Sequence, residues 1–255
     1  MKLILHPQFE HLRQFVEELP QRFSKEGEVL QDRRNTIKVF HVNGLDINVK
    51  RFRVPFFFNR IIYTFFRASK ASKAYLNALE VLRRGFETPH SIAYIEQYRG
   101  GLLHWSYYIS LQSSFRQEMR DYYFGPLTGN EPLIKAFAQY TADLHENGIC
   151  HNDYSPGNVL IGRNQEQYRF SLVDINRMKF KPMNLKEGCR NLKRMFENQE
   201  LYVFLAREYA RKRGFSPEEC IKQTSHYNRW SLQRDRRKKR GKRFRKKPRP
   251  WLPLS

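Results

Sequence analysis

Hydrophobic positions change period along this chain, and the changes mark its elements. In residues 28–52 they alternate. Val29-Leu30 leads to a polar turn at Asp32–Asn35, Thr36–His41 returns, and Asn43-Gly44 makes a tight turn. Leu45, Ile47 and Val49 then share one face, with Asp46, Asn48 and Lys50 on the other. Alternation between turn residues predicts three antiparallel strands. Residues 92–99 and 102–111 flank Gly100-Gly101, a pair suited to a two-residue hairpin turn, and predict two more. Elsewhere the period is helical. Phe9, Leu12, Phe15, Val16 and Leu19 mark a helix in 8–24 that Pro20 is expected to end. Tyr75, Leu76, Leu79 and Leu82 mark one in 69–85, with Ser69 or Ser72 as cap and Gly85 as stop. Leu133, Phe137, Tyr140 and Leu144 mark a third in 131–147, stopped by Gly148. Residues 115–130, with the segment DYYFG, read as loop. Val159–Ile161 and Phe170–Val173 form two short apolar strands around a polar turn. Residues 185–228 read as helices, the last opened by a Ser216 cap with Pro217 at its first position. Sheet first and helices afterwards give the class α+β.

One stretch fits neither period. Residues 54–66, VPFFFNRIIYTFF, are apolar nearly all round, interrupted by Asn59 and Arg60 and flanked by Arg51, Arg53, Arg67, Lys70 and Lys73. Two readings stand. The segment is buried between lobes, or it dips into a membrane interface while the cations meet lipid headgroups.

The chemistry concentrates between His145 and Arg177. His151, Asp153 and Asn158 fall in the pattern H-x-D-x-x-x-x-N, and the second apolar strand delivers Asp174. Asn152, Asp153 and Asn158 are all good turn residues, and a capped turn is the plain alternative. Two carboxylates and an amide at the ends of short strands are also what metal-nucleotide phosphoryl transfer requires. One carboxylate orients a hydroxyl and accepts its proton; the other, with the amide, holds Mg²⁺ against phosphates. The loop resembles the catalytic loop of the protein-kinase-like superfamily. In that plan the third strand carries a phosphate-binding lysine, and Lys50 occupies the place. A glutamate from the following helix pairs with that lysine; Glu80 is the only acid in 69–85, and Asn77 lies one turn earlier. Residues around Gln112–Ser114 would lie near an adenine. No G-x-G-x-x-G precedes the strands; Arg33, Arg34 and Asn35 stand there instead.

Charge narrows the partners. The 255 residues carry 47 Lys/Arg against 25 Asp/Glu, a formal net charge of +22, which implies an anionic partner. Residues 229–249 hold 13 Lys/Arg and one acid, Asp235, and read as a disordered basic tail. It would hold the protein on an anionic leaflet, attract lipid A phosphates, bind nucleic acid without specificity, or simply be solvated. Cys150, Cys189 and Cys220 lack metal spacing and read as reduced thiols in a cytoplasmic protein. The N-terminal MKLILHPQFEHL is too short for a signal peptide, and no apolar run approaches a membrane span.

Four segments carry a closer likeness: VKRF at 49–52, SKASKAYLNALEVLRRGFETP at 69–89, HNDYSPGNVLI at 151–161 and VDINR at 173–177. Across roughly 28–195 the chain resembles the lipopolysaccharide core kinases, the Kdo and heptose kinases. The resemblance implies a two-lobed protein-kinase-like fold: an antiparallel-sheet N-lobe with an N-terminal extension in 1–114, a mainly helical C-lobe in 115–228 and the basic tail in 229–255. It implies ATP-dependent phosphorylation of an inner-core sugar hydroxyl at the cytoplasmic face of a Gram-negative inner membrane, with lipopolysaccharide core or a lipid A precursor as acceptor. Asp153 matches the catalytic base and His151 the histidine that braces it. Asn158 and Asp174 match the Mg²⁺ ligands and Lys50 the phosphate-binding lysine, with its helix partner left open between Glu80 and Asn77. Asp174-Ile175-Asn176 departs from the Phe-Gly of protein kinases, and Ser155 replaces a lysine common in them. Both departures favour a small-molecule or glycolipid kinase. The missing glycine loop leaves open a non-catalytic scaffold that binds membrane or nucleic acid.

Overall fold

A computed structural model describes residues 1–165 and 167–245, with backbone alone for 238–245. The elements begin with β1 (Lys2–Leu5), a 3₁₀ turn and α1 (Arg13–Arg22). Three strands follow, β2 (Glu28–Asp32), β3 (Thr36–Val42) and β4 (Leu45–Phe52), then α2 (Phe57–Phe65) and α3 (Lys70–Arg83). A long hairpin, β5 (Ser91–Arg99) and β6 (Leu102–Leu111), leads through β7 (Gln117–Glu118) to α4 (Glu131–Glu146). Short strands β8 (Ile149–His151), β9 (Val159–Asn164), β10 (Gln167–Leu172) and β11 (Met178–Phe180) precede the helices α5 (Leu185–Asn191), α6 (Gln199–Arg213) and α7 (Pro217–Arg245). The mixture is α+β: an antiparallel six-stranded sheet and a helical C-terminal part.

The chain divides into two compact units. The first comprises Met1–Glu118, Asn147–Asp153 and Gly157–Lys181. Its sheet runs β1-β5-β6-β4-β3-β2. Alternation along β4 sorts the two faces. Ile47 and Val49 are fully buried with Phe15, Leu19, Phe23 and Phe40. Phe52, on the opposite face, packs with Ala71, Tyr75 and Tyr94, so α3 covers the side that carries Lys50. Gly100 and Gly101 take φ of 60° and 73°, the paired positive values of a tight hairpin. At the open edge, all five residues of β2 are exposed, and a bulge interrupts its pairing between Val29 and Gln31.

Two expectations need correction. Pro20 lies inside α1 and does not end it. A proline removes one N–H from the helix, while buried Leu19 and Phe23 hold the last turn, the Phe23 N–H bonding to the Leu19 carbonyl at 2.8 Å. The 54–66 stretch is not a buried segment: α2 has no buried residue. Ser69, rather than Ser72, caps α3, accepting from the Ser72 N–H at 3.1 Å. The edge strand β1 and the short β8 and β11 have no counterpart in the sequence reading.

The second unit comprises Met119–Glu146, Tyr154–Pro156 and the described residues of 182–255. His145 sits at its centre, fully desolvated. Arg213 donates to the Tyr209 hydroxyl at 2.9 Å, that hydroxyl lies 2.9 Å from His145 Nδ1, and His145 Nε2 faces the Asn191 carbonyl oxygen at 3.1 Å. The tail expected to be disordered from 229 is helical as far as Arg245; 246–255 lie outside the described residues. Cys220, Thr224, Asn228 and Ser231 are buried along one face of α7. Asn228 donates to the Phe196 carbonyl at 3.1 Å. The docking stripe is polar, so counting apolar residues missed it, and lysine and arginine propagate a helix well once it has begun. Cys150, Cys189 and Cys220 are all buried thiols.

Candidate active site

The register of one hairpin assembles half the site. In the antiparallel pair β9–β10, Val159 faces Leu172. Asn158, just before β9, therefore lies opposite Val173, just after β10, and the Val173 N–H donates to the Asn158 carbonyl at 3.0 Å. Asp174 is the next residue. Two residues 16 positions apart in the chain thus meet because the strands between them pair.

His151 anchors the loop. It closes β8, opposite Met178 of β11, and is buried. Its Nδ1 accepts from the Asp153 N–H at 3.1 Å, and its Nε2 faces the Val173 carbonyl at 3.0 Å. A backbone N–H can only donate and a carbonyl can only accept, so the ring is neutral with its proton on Nε2. Burial pushes its pKa below the usual value, with the Val173 carbonyl, Asp174 and Asp153 opposing. One imidazole ties the backbone of Asp153 to the strand end that carries Asp174. Asn158 Nδ2 donates to the Asp153 carbonyl at 2.8 Å, closing the loop, so that the amide oxygen is the atom that could serve as a ligand.

Asp174 is the electrostatic centre. It adopts φ 55° and ψ 42°, a left-handed conformation that costs most side chains energy and that Asp tolerates better than most. Its Oδ1 accepts from Lys50 Nζ at 2.5 Å and from Asn176 Nδ2 at 2.6 Å. Burial works against its charge, and Lys50 together with Arg177 outweighs burial, holding the carboxyl below its ordinary range. Lys70, the first residue of α3, lies among the same charges. Burial pushes its pKa down, Arg34, Arg177 and Lys50 add to that, and Asp174 opposes them. Cations thus outnumber the carboxylate they surround, the electrostatics of an anion site.

Of the two helix candidates, Asn77 and not Glu80 reaches the site. Glu80 accepts from Arg83 at 2.7 Å and from Arg84 at 2.6 Å, and the ion-pair partner of Lys50 is Asp174. Asn77 reaches the site, donating to the Ile175 carbonyl at 2.7 Å. Lys50, His151, Asp153, Asn158 and Asp174 are therefore brought together, and Glu80 is turned aside. Asn176, Lys70 and Arg177 were missed in these roles. Asn176 stood inside the recognised Asp-Ile-Asn, and Arg34 in the place of the glycine loop.

The donor set suits a divalent cation shared with phosphate. Among the described residues no group of three or more His, Cys, Asp or Glu could hold a metal alone. One carboxylate and one amide oxygen match the way Mg²⁺ is bound with substrate phosphates.

Comparison with known proteins agrees with this chemistry. The model of the "Lipopolysaccharide kinase (Kdo/WaaP) family" matches residues 24–227. A solved structure of WaaP in complex with acyl carrier protein superposes with a TM-score of 0.62 at 16% identity, covering 93% of this chain and 99% of that one. No curated protein sequence matches.

Proposed function

Since the chain belongs to the lipopolysaccharide kinase (Kdo/WaaP) family, and is thus a phosphotransferase, we propose that it moves the γ-phosphoryl group of ATP to an inner-core sugar hydroxyl, of Kdo or heptose, at the cytoplasmic face of the inner membrane. The observation that carries this reading is the loop in which His151 joins the backbone of Asp153 to the strand end bearing Asp174.

Each residue then has a task. The Asp153 carboxylate orients the acceptor hydroxyl and takes its proton. Lys50 neutralises phosphate oxygens. Asn158 Oδ1 and the Asp174 carboxylate would hold Mg²⁺, which offsets the charge on the phosphates. Arg34, Lys70 and Arg177 add positive charge where a glycine-rich loop would supply backbone N–H groups, and do in side chains what that loop does in main chain. His151 keeps Asp153 in place and takes no proton. Asn176 and Asn77 fix the turn that presents Asp174. Such preorganised charge supplies most of the rate in phosphoryl transfer. The cationic face of α7, with exposed Arg229, Arg236 and Arg237, would draw the protein to acidic glycolipid and an anionic leaflet.

The test is transfer of labelled phosphate from ATP, with Mg²⁺, to dephosphorylated lipopolysaccharide core and to Kdo-lipid A, wild type beside Asp153→Ala. Transfer that falls about a thousandfold or more in the variant is expected. Wild type that labels neither acceptor would overturn the assignment of substrate.

A further inference from the structure

Helix α2 is amphipathic the wrong way round. Two of its polar residues, Arg60 and Thr64, face the protein. Arg60 donates to the carbonyls of Leu103 at 2.7 Å and Arg99 at 2.9 Å, and the Thr64 hydroxyl accepts from the Leu103 N–H at 2.9 Å. These bonds fasten the helix to the tip of the β5–β6 hairpin. Its apolar residues face out. Phe58, Ile62, Phe65 and Phe66 follow at helical spacing, and Phe58, Phe65 and Phe66 are 78%, 67% and 78% exposed. Phe56 and Phe57, at the start of the helix, are 77% and 60% exposed. A soluble surface rarely gathers so many large apolar side chains in one place, and such patches mark sites of association.

We propose that α2 is a membrane-docking element that inserts its phenylalanines into the interfacial region of an anionic lipid bilayer. The charge around it points to this partner. Between Asp46 and Glu80 there is no acidic residue, while Lys50, Arg51, Arg53, Arg60, Arg67, Lys70 and Lys73 are all basic. Arg53 and Arg67, just outside the two ends of the helix, are exposed. Cations at both ends of an apolar stripe match an interface in which rings enter the acyl boundary and anionic headgroups meet the charges. Shape favours lipid over a protein surface. Side chains exposed by two-thirds or more project outward and line no cleft, so a folded partner would need a row of pockets to receive them; a bilayer receives them without preformed shape. Among the described residues no helix is long and apolar enough to cross a membrane, so the contact is interfacial. The inference goes beyond the kinase reading and holds whatever the acceptor.

Flotation of the full chain with phosphatidylethanolamine–phosphatidylglycerol vesicles tests it, with no nucleotide or glycolipid present. Wild type is expected to float. Phe58→Ser/Phe65→Ser should weaken partitioning by about tenfold for each ring removed, with an unchanged unfolding midpoint because both side chains are solvated. Arg53→Gln/Arg67→Gln should weaken it less and flatten its salt dependence. In a Phe58→Trp variant, lipids brominated along the acyl chain should quench the new tryptophan. Flotation unchanged by the serine pair would overturn the proposal and assign membrane binding to the basic end of α7. Absence of quenching would overturn it too. So would a wild type that ignores vesicles and binds an acidic carrier protein through the same residues, which would make α2 a protein-docking helix.

Discussion

Lys50 Nζ lies 2.5 Å from Asp174 Oδ1, across 124 residues of chain. The two come from the first sheet and the last strand turn of one compact unit, and neither reaches the other through a helical glutamate. The lysine proposed to bind phosphate and the carboxylate proposed to bind metal hold each other in position.

Loss of that pair should be visible as a function of pH. The folded-state pKa of Asp174 is depressed, so the folded protein takes up this proton less readily than the unfolded chain. The stability it confers is present above the unfolded carboxylate pKa of about 3.9 and is lost as pH falls through the folded value. Lys50→Met removes the main cause of the depression. The variant should be less stable than wild type near neutrality, by about 1–3 kcal/mol for a partly buried pair that loses one member. The gap should close below about pH 4. Urea melts at several pH values measure it; a gap that persists unchanged into acid would show that Lys50 acts through packing alone.

The helix residues can be separated by activity. Glu80 is engaged by two arginines on its own helix, so Glu80→Ala should leave turnover within about twofold of wild type. Asn77 holds the turn that carries Asp174, and Asn77→Ala should lower kcat about tenfold with the fold retained, a loss of about 1.4 kcal/mol of transition-state stabilisation. The reverse ranking in a steady-state assay would restore the glutamate to the role expected in kinases.

A second pH dependence belongs to the helical unit. Burial pushes the pKa of His145 down to about 4, with Arg213 adding to that and Asn191 opposing. This group too binds its proton more weakly when folded. Stability should therefore fall as pH drops from about 6.5 towards 4, by about 3 kcal/mol in all if the shift is fully expressed. His145→Gln should start lower at neutral pH and show a shallower decline over that window. Equal slopes for the two proteins would mean that another group titrates there.

The legible parts of this molecule were those encoded locally. Alternation in β3 and β4, the glycine pair of the β5–β6 turn and the seryl cap of α3 each depend on residues within a few positions, and each was readable. So was the juxtaposition of Asn158 and Asp174, because the hairpin between them is short. What was hidden depends on distant partners. Nothing near Asp174 says that Lys50, 124 residues away, is its ion-pair partner. The composition of 54–66 states that a surface is apolar and says nothing of which side Arg60 and Thr64 fasten inward. Strands of three or four residues, such as β1 and β8, have no period to detect. The start of α7 docks through Thr224, Asn228 and Ser231, polar residues that no hydrophobic pattern reports.

The exposed edge strand β2 carries a consequence for handling the protein. An unpaired edge offers a row of backbone donors and acceptors to any passing strand, and Val29 and Leu30 would add adhesive side chains. Glu28 and Asp32 close its two ends with negative charge, and the bulge between Val29 and Gln31 breaks the straight template that a growing fibril copies. The sheet therefore stops at β2, and solutions of this chain should resist ordered aggregation through that edge.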